Sequence, residues 1–194
     1  LPSNEVWQGC VYIVSRRSEP GKICKYSEND QFYFGSLSGN KEKQVRLLSL
    51  LTAAGINAFN PENITDRIWK KFFRISTAAT LTSYYNLPIG KVLDLHTDDL
   101  LALADEFIAV ATAMGISFPP NSRDEIIEGQ RKMPYNSTTS MHSDFLKGAQ
   151  TELESITGYI VQCAKDLNIE VPCYLKMYNE LKTNYTNIYN NPNN

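Results

Sequence analysis

The sequence has 194 residues, 42% hydrophobic and 21% charged, with a net charge of −2 at pH 7. That balance suits a globular chain of one or two domains with a sizeable buried core. It excludes the basic stripe that nucleic acid or an anionic membrane surface demands, and no apolar run approaches the ~18 residues of a transmembrane helix. The first residues read as β-rich. Val11, Tyr12, Ile13 and Val14 form a short β-branched and aromatic run, residues 22–26 alternate, and Gln31, Phe32, Tyr33 and Phe34 do so more loosely. Glu19-Pro20-Gly21 and residues 27–30 supply turn chemistry between them, so a meander of three strands is expected. Val45, Leu47, Leu48, Leu50 and Leu51 then recur at helical spacing over residues 41–54, with Gly55 as the cap. A last short strand at 56–59 precedes the boundary at Asn60-Pro61.

From residue 63 onward the pattern is helical. Asn63 or Thr65 can cap a helix running to Tyr85, which Pro88 and Gly90 interrupt, leaving a short turn. A second helix covers 100–114 and ends at Gly115. Ser122 and Glu125 read as a capping box that opens a third, stopped by Pro134. A short helix is expected at 143–146, a strongly periodic one at 151–167, and a last one opened by Pro172 at its first position. The Asn-rich tail 187–194 reads as frayed. The expected fold is therefore mainly α, a helical domain (63–190) preceded by a small β-rich part (1–62).

Several features carry little. Cys10, Cys24, Cys163 and Cys173 make no C-x-x-C pair and read as reduced thiols of a cytoplasmic protein. His96 and His142, the only histidines, lack metal-ligand spacing, so no metal site is expected. The sequons at Asn63, Asn136 and Asn184 read as chance matches, because the start LPSNEVWQG has neither region of a signal peptide. Tyr174, Tyr178, Tyr185 and Tyr189 on the last helix read as packing.

Two constellations could carry chemistry. The first is Trp69-Lys70-Lys71-Phe72-Phe73, at the start of the long helix that ends in Asn86-Leu87-Pro88-Ile89-Gly90. A lysine beside large apolar side chains can serve as a proton donor, although on spacing alone it reads as a solvated helix lysine snorkelling past the Trp. The second is Thr139-Ser140-Met141-His142-Ser143-Asp144 with Thr151-Glu152-Leu153-Glu154. On composition alone Glu152 reads as first-turn charge complementing a helix dipole. Together these segments resemble the ketopantoate reductase family, the NADPH-dependent 2-dehydropantoate 2-reductases, over nearly the whole chain.

The resemblance implies a helical substrate and dimerisation domain of the 6-phosphogluconate-dehydrogenase C-terminal type, after the last strands and helix of a Rossmann-type nucleotide domain. It implies a cytoplasmic enzyme of pantothenate synthesis that reduces ketopantoate to pantoate and can form a homodimer. The family's catalytic lysine falls on Lys71, the glutamate that helps bind the substrate's hydroxyl end on Glu152, and the serine that holds the substrate carboxylate on Ser140. No G-x-G-x-x-G follows any strand, so the NADPH pyrophosphate has no cradle in this chain. The sequence therefore reads as the C-terminal portion of such an enzyme, inactive alone. It departs from the family at Ile75, Ala79 and Ile89, where active members carry asparagines, which leaves the substrate open. Ser76, Thr80 or Thr82 are the candidates to substitute in part. Two alternatives stand beside this reading: a non-catalytic helical dimerisation module, and a related 2-oxo acid or opine-type reductase with another substrate.

Overall fold

In the first part of the chain, aromatic residues decide which strands pair. The computed structural model describes residues 6–26, 30–36 and 39–190, and of Arg16 and residues 185–190 the backbone alone. Strands β1 (Gln8–Tyr12), β4 (Gln31–Gly35) and β5 (Ala58–Phe59) make one sheet in the order β1-β4-β5. β1 pairs β4 antiparallel, with Cys10 opposite Tyr33. Phe34 is buried and stacks on Trp7, and Tyr33 stacks on Phe59 with ring centroids 5.0 Å apart. Helix α1 (Lys41–Ala53) joins β4 to β5, which run parallel, a βαβ connection. Asn40 caps α1 by accepting from the Glu42 and Lys43 amides. The buried Gln44 is satisfied by Asn60 Nδ2 at 2.8 Å and the Ser36 carbonyl at 3.2 Å.

The expected three-strand meander is corrected here. Among the described residues β2 (Ser15–Glu19) and β3 (Lys22–Lys25) pair only with each other, in a separate ribbon turned at Gly21, whose φ is +80°. Ser-Arg-Arg-Ser-Glu has no strand composition, and the ribbon follows from its Pro-Gly turn. Part of the turn expected at 27–30, the first five residues and residues 191–194 lie outside the described residues, as do the side chains of Tyr185 and Tyr189.

The chain divides into two compact units, Leu1–Trp69 and Lys70–Asn194, the divide falling inside helix α2 (Ile64–Tyr85). α2 starts where the Asn63 side chain accepts from the Thr65 amide. The second unit is all helical: the rest of α2, then α3 (Ile89–Leu95), α4 (Thr97–Ala113), α5 (Ser122–Arg131), α6 (Ser140–Leu146), α7 (Leu153–Leu167) and α8 (Pro172–Asn190). The chain is thus mainly α, a helical unit following a small β-rich one. Among the described residues no helix is long and apolar enough to cross a membrane.

Residues 76–82 of α2 are buried all round. Small side chains let neighbouring backbones approach, and every hydroxyl there has a partner. Ser76 meets Tyr174 OH at 2.9 Å, Thr80 meets Thr157 Oγ1 at 2.8 Å, and Thr77 and Thr82 donate to carbonyls one turn back. α4 supplies the other half of the core with Leu100, Leu103, Ala104, Phe107, Val110 and Ala111, none with measurable exposure. Phe107 stacks on Phe73 at 4.9 Å and meets Phe72 edge-on at 5.4 Å. The Glu106 carboxylate accepts from the Cys173 and Tyr174 amides at 2.7 and 2.8 Å, capping α8 from a neighbouring helix.

Three local expectations change. The segment after Pro88 is a helix and not a turn: Pro88 sits at its N-cap with ψ 159°, where its missing N–H costs nothing. Ser122 is the first helical residue of α5, behind Asn121, and its buried hydroxyl has no partner among the described residues, so the capping box does not form. α6 begins at Ser140, capped by the Thr139 hydroxyl on the His142 amide.

Candidate active site

Each candidate residue sits at or beside an apolar anchor. Lys71 is half-buried on α2. Ser140 is the exposed first residue of α6, and Glu152 the exposed N-cap residue of α7. The residues that directly follow them, Phe72, Met141 and Leu153, belong to one hydrophobic cluster with Ala79, Ile156 and Leu181; Met141 and Leu153 lie in its buried centre and Phe72 packs against it. The segments carrying the three polar groups therefore meet on a common core, although they are far apart in sequence. The Glu152 carboxylate and the Ser140 hydroxyl have no hydrogen-bond or ion-pair partner among the described residues. Glu152 caps α7 only through its backbone: its carbonyl accepts from the Ile156 amide at 2.9 Å, and its side chain makes no cap bond.

The chemistry available to such a set is limited and specific. An ammonium can give a proton to a carbonyl oxygen, a hydroxyl can donate to a carboxylate, and a carboxylate can accept from a substrate hydroxyl or pair with the ammonium. Among the described residues no group of three or more His, Cys, Asp or Glu side chains could hold a metal ion, and no disulfide joins the four cysteines.

At the departures from the family, Ile75 is 39% exposed, whereas Ala79 and Ile89 are each 1% exposed. Ala79 is part of the apolar cluster. Ser76, Thr80 and Thr82 do not substitute for the missing amides. All three are fully buried and bonded within the protein, Thr82 also meeting Thr139 Oγ1 at 3.0 Å.

The Asn86–Gly90 segment has a positioning role that spacing alone did not reveal. Asn86 takes φ 53°, ending α2 in the left-handed region that asparagine tolerates. Its Oδ1 lies 2.8 Å from His142 Nε2, and the other ring nitrogen of His142 bonds Thr138 Oγ1. The Ile89 and Gly90 amides donate to the Ser137 and Tyr135 carbonyls at 2.9 and 3.0 Å. The Tyr135 ring lies so close that a Cβ on Gly90 would stand 2.2 Å from it. The end of α2 is thereby fixed to the loop that leads into Ser140. Burial lowers the His142 pKa below its ordinary value, favouring the neutral ring in this joint. An Asn just before Leu-Pro was the available signal, since Asn is the non-glycine residue that most readily takes positive φ.

Comparison with known proteins shows the family and the fold. The family model described as ketopantoate reductase PanE/ApbA C terminal matches residues 63–185. The 2-dehydropantoate 2-reductase of Pyrococcus abyssi is 31% identical over 176 residues, covering 84% of this chain and 55% of that protein. The crystal structure of 2-dehydropantoate 2-reductase from Porphyromonas gingivalis W83 is 39% identical with a TM-score of 0.76, covering 91% of this chain and 55% of that one. The ternary structure of D-mandelate dehydrogenase with NADH and anilino(oxo)acetate has a TM-score of 0.82 over 94% of this chain and 60% of that one, and at 18% identity it shows the fold alone. This chain thus spans a little over half the length of the proteins it matches. By its sequence from residue 63 to 185 and by its fold, the chain belongs to the ketopantoate reductase family.

Proposed function

We propose that this chain is the C-terminal part of an NADPH-dependent reductase of ketopantoate. Residues 63–190 would form the substrate domain, and residues 1–62 the end of the nucleotide domain. The observation that carries the reading is the shared core beneath Lys71, Ser140 and Glu152, in a chain of this family. In the proposed roles, Lys71 gives a proton to the carbonyl oxygen as the 2-oxo acid becomes a 2-hydroxy acid. Ser140 donates to the substrate carboxylate. Glu152 accepts from the substrate's hydroxyl end and pairs with the Lys71 ammonium.

The residues present do not fit the cofactor's pyrophosphate. The chain has no G-x-G-x-x-G, and the parallel pairing among the described strands is β4 with β5. NADPH is therefore assigned to no residue of this chain, and turnover is proposed for the complete enzyme only, as a homodimer.

A second reading has its own support. Ile75, 39% exposed, and the buried Ala79 put apolar side chains where the family's asparagines would stand, which favours a 2-oxo acid with a more apolar side chain. Steady-state reduction by the complete protein of ketopantoate, 2-oxoisovalerate and benzoylformate decides between them. The first reading expects the highest kcat/KM for ketopantoate, with a KM about tenfold or more higher in Ser140→Ala, the loss of one charge-assisted hydrogen bond. A preference for either apolar acid selects the second. No reduction of any of the three rejects both and leaves a non-catalytic dimerisation module.

A further inference from the structure

Lys71 and Glu152 each stand on an open strip of their helix, and each strip ends in an apolar residue. Along α2 the strip is short. Lys71 is half-buried, Arg74 and Ile75 are exposed, and every residue from Ser76 to Ser83 is buried. The open face of α2 therefore ends at Ile75, one turn past Lys71. Along α7 the residues Glu152, Ser155, Tyr159 and Gln162 are exposed at the three- and four-residue spacing of one helix face, whereas Leu153, Ile156 and Ile160 beside them are buried. Tyr159 thus lies two turns past Glu152 on nearly the same face.

The two strips border each other. Phe72, beside Lys71 in the chain, meets the Tyr159 ring edge-on with centroids 5.8 Å apart. Phe72 also packs on the cluster that holds Ala79, Leu153 and Ile156. That cluster closes the seam between the helices, with Lys71 and Ile75 on one side and Glu152 and Tyr159 on the other. Two large apolar side chains stay open along the seam: Tyr159 is 43% exposed and Ile75 39% exposed. The Tyr159 hydroxyl interacts with Cys163, one turn further along α7, which leaves the ring as the apolar part. A 2-oxo acid needs polar groups for its carboxylate and carbonyl and apolar surface for its carbon chain, the usual division of labour in a small-molecule site.

We infer that Tyr159 and Ile75 set substrate specificity, as the apolar wall that receives the branched carbon next to the reacting carbonyl. The inference rests on the reductase reading above. It applies to ketopantoate and 2-oxoisovalerate alike, since both carry two methyl groups on that carbon.

The test is kcat/KM of the complete protein for 2-oxoisovalerate against pyruvate, which lacks both methyl groups. The wild type is expected to favour 2-oxoisovalerate about tenfold or more, the worth of one hydrocarbon group in an apolar pocket. Tyr159→Ala lowers that ratio about tenfold and Ile75→Ala about threefold, while Tyr159→Phe, which keeps the ring, keeps the ratio. A loss of stability alone does not move a ratio measured on one folded population. A wild type without the preference, an unchanged ratio in either alanine variant, or an equal fall in Tyr159→Phe and Tyr159→Ala overturns the wall; reduction of ketopantoate in the same assays keeps the reductase reading. A wild type that reduces none of the three acids overturns both.

Discussion

The two units are built to different standards of burial. In the second, α4 alone puts six residues at 0% exposure, and the nearly two turns of α2 from Ser76 to Thr82 are hidden. In the first, Tyr33, Phe34, Ile64 and Trp69 are buried, but Val14, Ile23, Tyr26, Val45 and Leu50 are each 59% or more exposed. Leu95 and Leu146 of the second unit are as exposed, at 66% and 64%, so the contrast lies in the depth of the two cores and not in their surfaces. The lesson is that the proposed chemistry is carried by the unit with the deeper core, and its geometry rests on the α2, α6 and α7 core.

The largest test of this contrast is a pair of truncations. Phe107→Ala should cost about 3–5 kcal/mol in urea denaturation, because removing a fully buried ring packed on Phe72, Phe73 and Phe118 leaves a cavity. Val45→Ala, at 61% exposure in α1, should stay within about 0.5 kcal/mol. Equal costs would break the comparison. Next comes Gly90→Ala, whose new methyl must displace the Tyr135 ring and with it the 2.7 Å hydrogen bond from Tyr135 OH to Asp94. A loss of about 1–3 kcal/mol is expected, partly recovered in Gly90→Ala with Tyr135→Ala; a neutral single variant would mean that the ring does not hold the α3 entrance. The smallest effect is in pH. Burial lowers the His142 pKa, so its contribution is present above the unfolded value of 6.5 and lost as pH falls through the lower folded value. His142 lies in the second unit, so acidification from pH 7 to 5 should weaken that unit, and His142→Gln should flatten the dependence. An unchanged slope in the variant would remove His142 from the joint.

Legibility in the sequence follows the same divide. The helices α2, α4, α7 and α8 were readable because long 3.6-residue periodicity coincided with Gly and Pro punctuation, as at Gly115 and Pro172. The β-rich unit was misread in its pairing: β1 finds β4 across a ribbon of polar strands, a long-range choice that alternation within a strand does not encode. α3 was missed because Pro88 and Gly90 read as breakers, whereas Pro is well suited to a helix start and Gly90 answers to the Tyr135 ring. For the candidate site, the sequence supplied the three polar residues through their likeness to a family. It did not supply the Phe72–Met141–Leu153 core or the His142–Asn86 joint, since contacts between segments some sixty residues apart have no local signature.

The central claim is that Lys71 is the proton donor, and kinetics of the complete protein test it most directly. NADPH oxidation with the preferred 2-oxo acid should fall about 10²- to 10⁴-fold in kcat for Lys71→Ala, with the melting temperature unchanged because Lys71 lies at the edge of the core. A folded Lys71→Ala protein that turns over at near the wild-type rate would contradict the account.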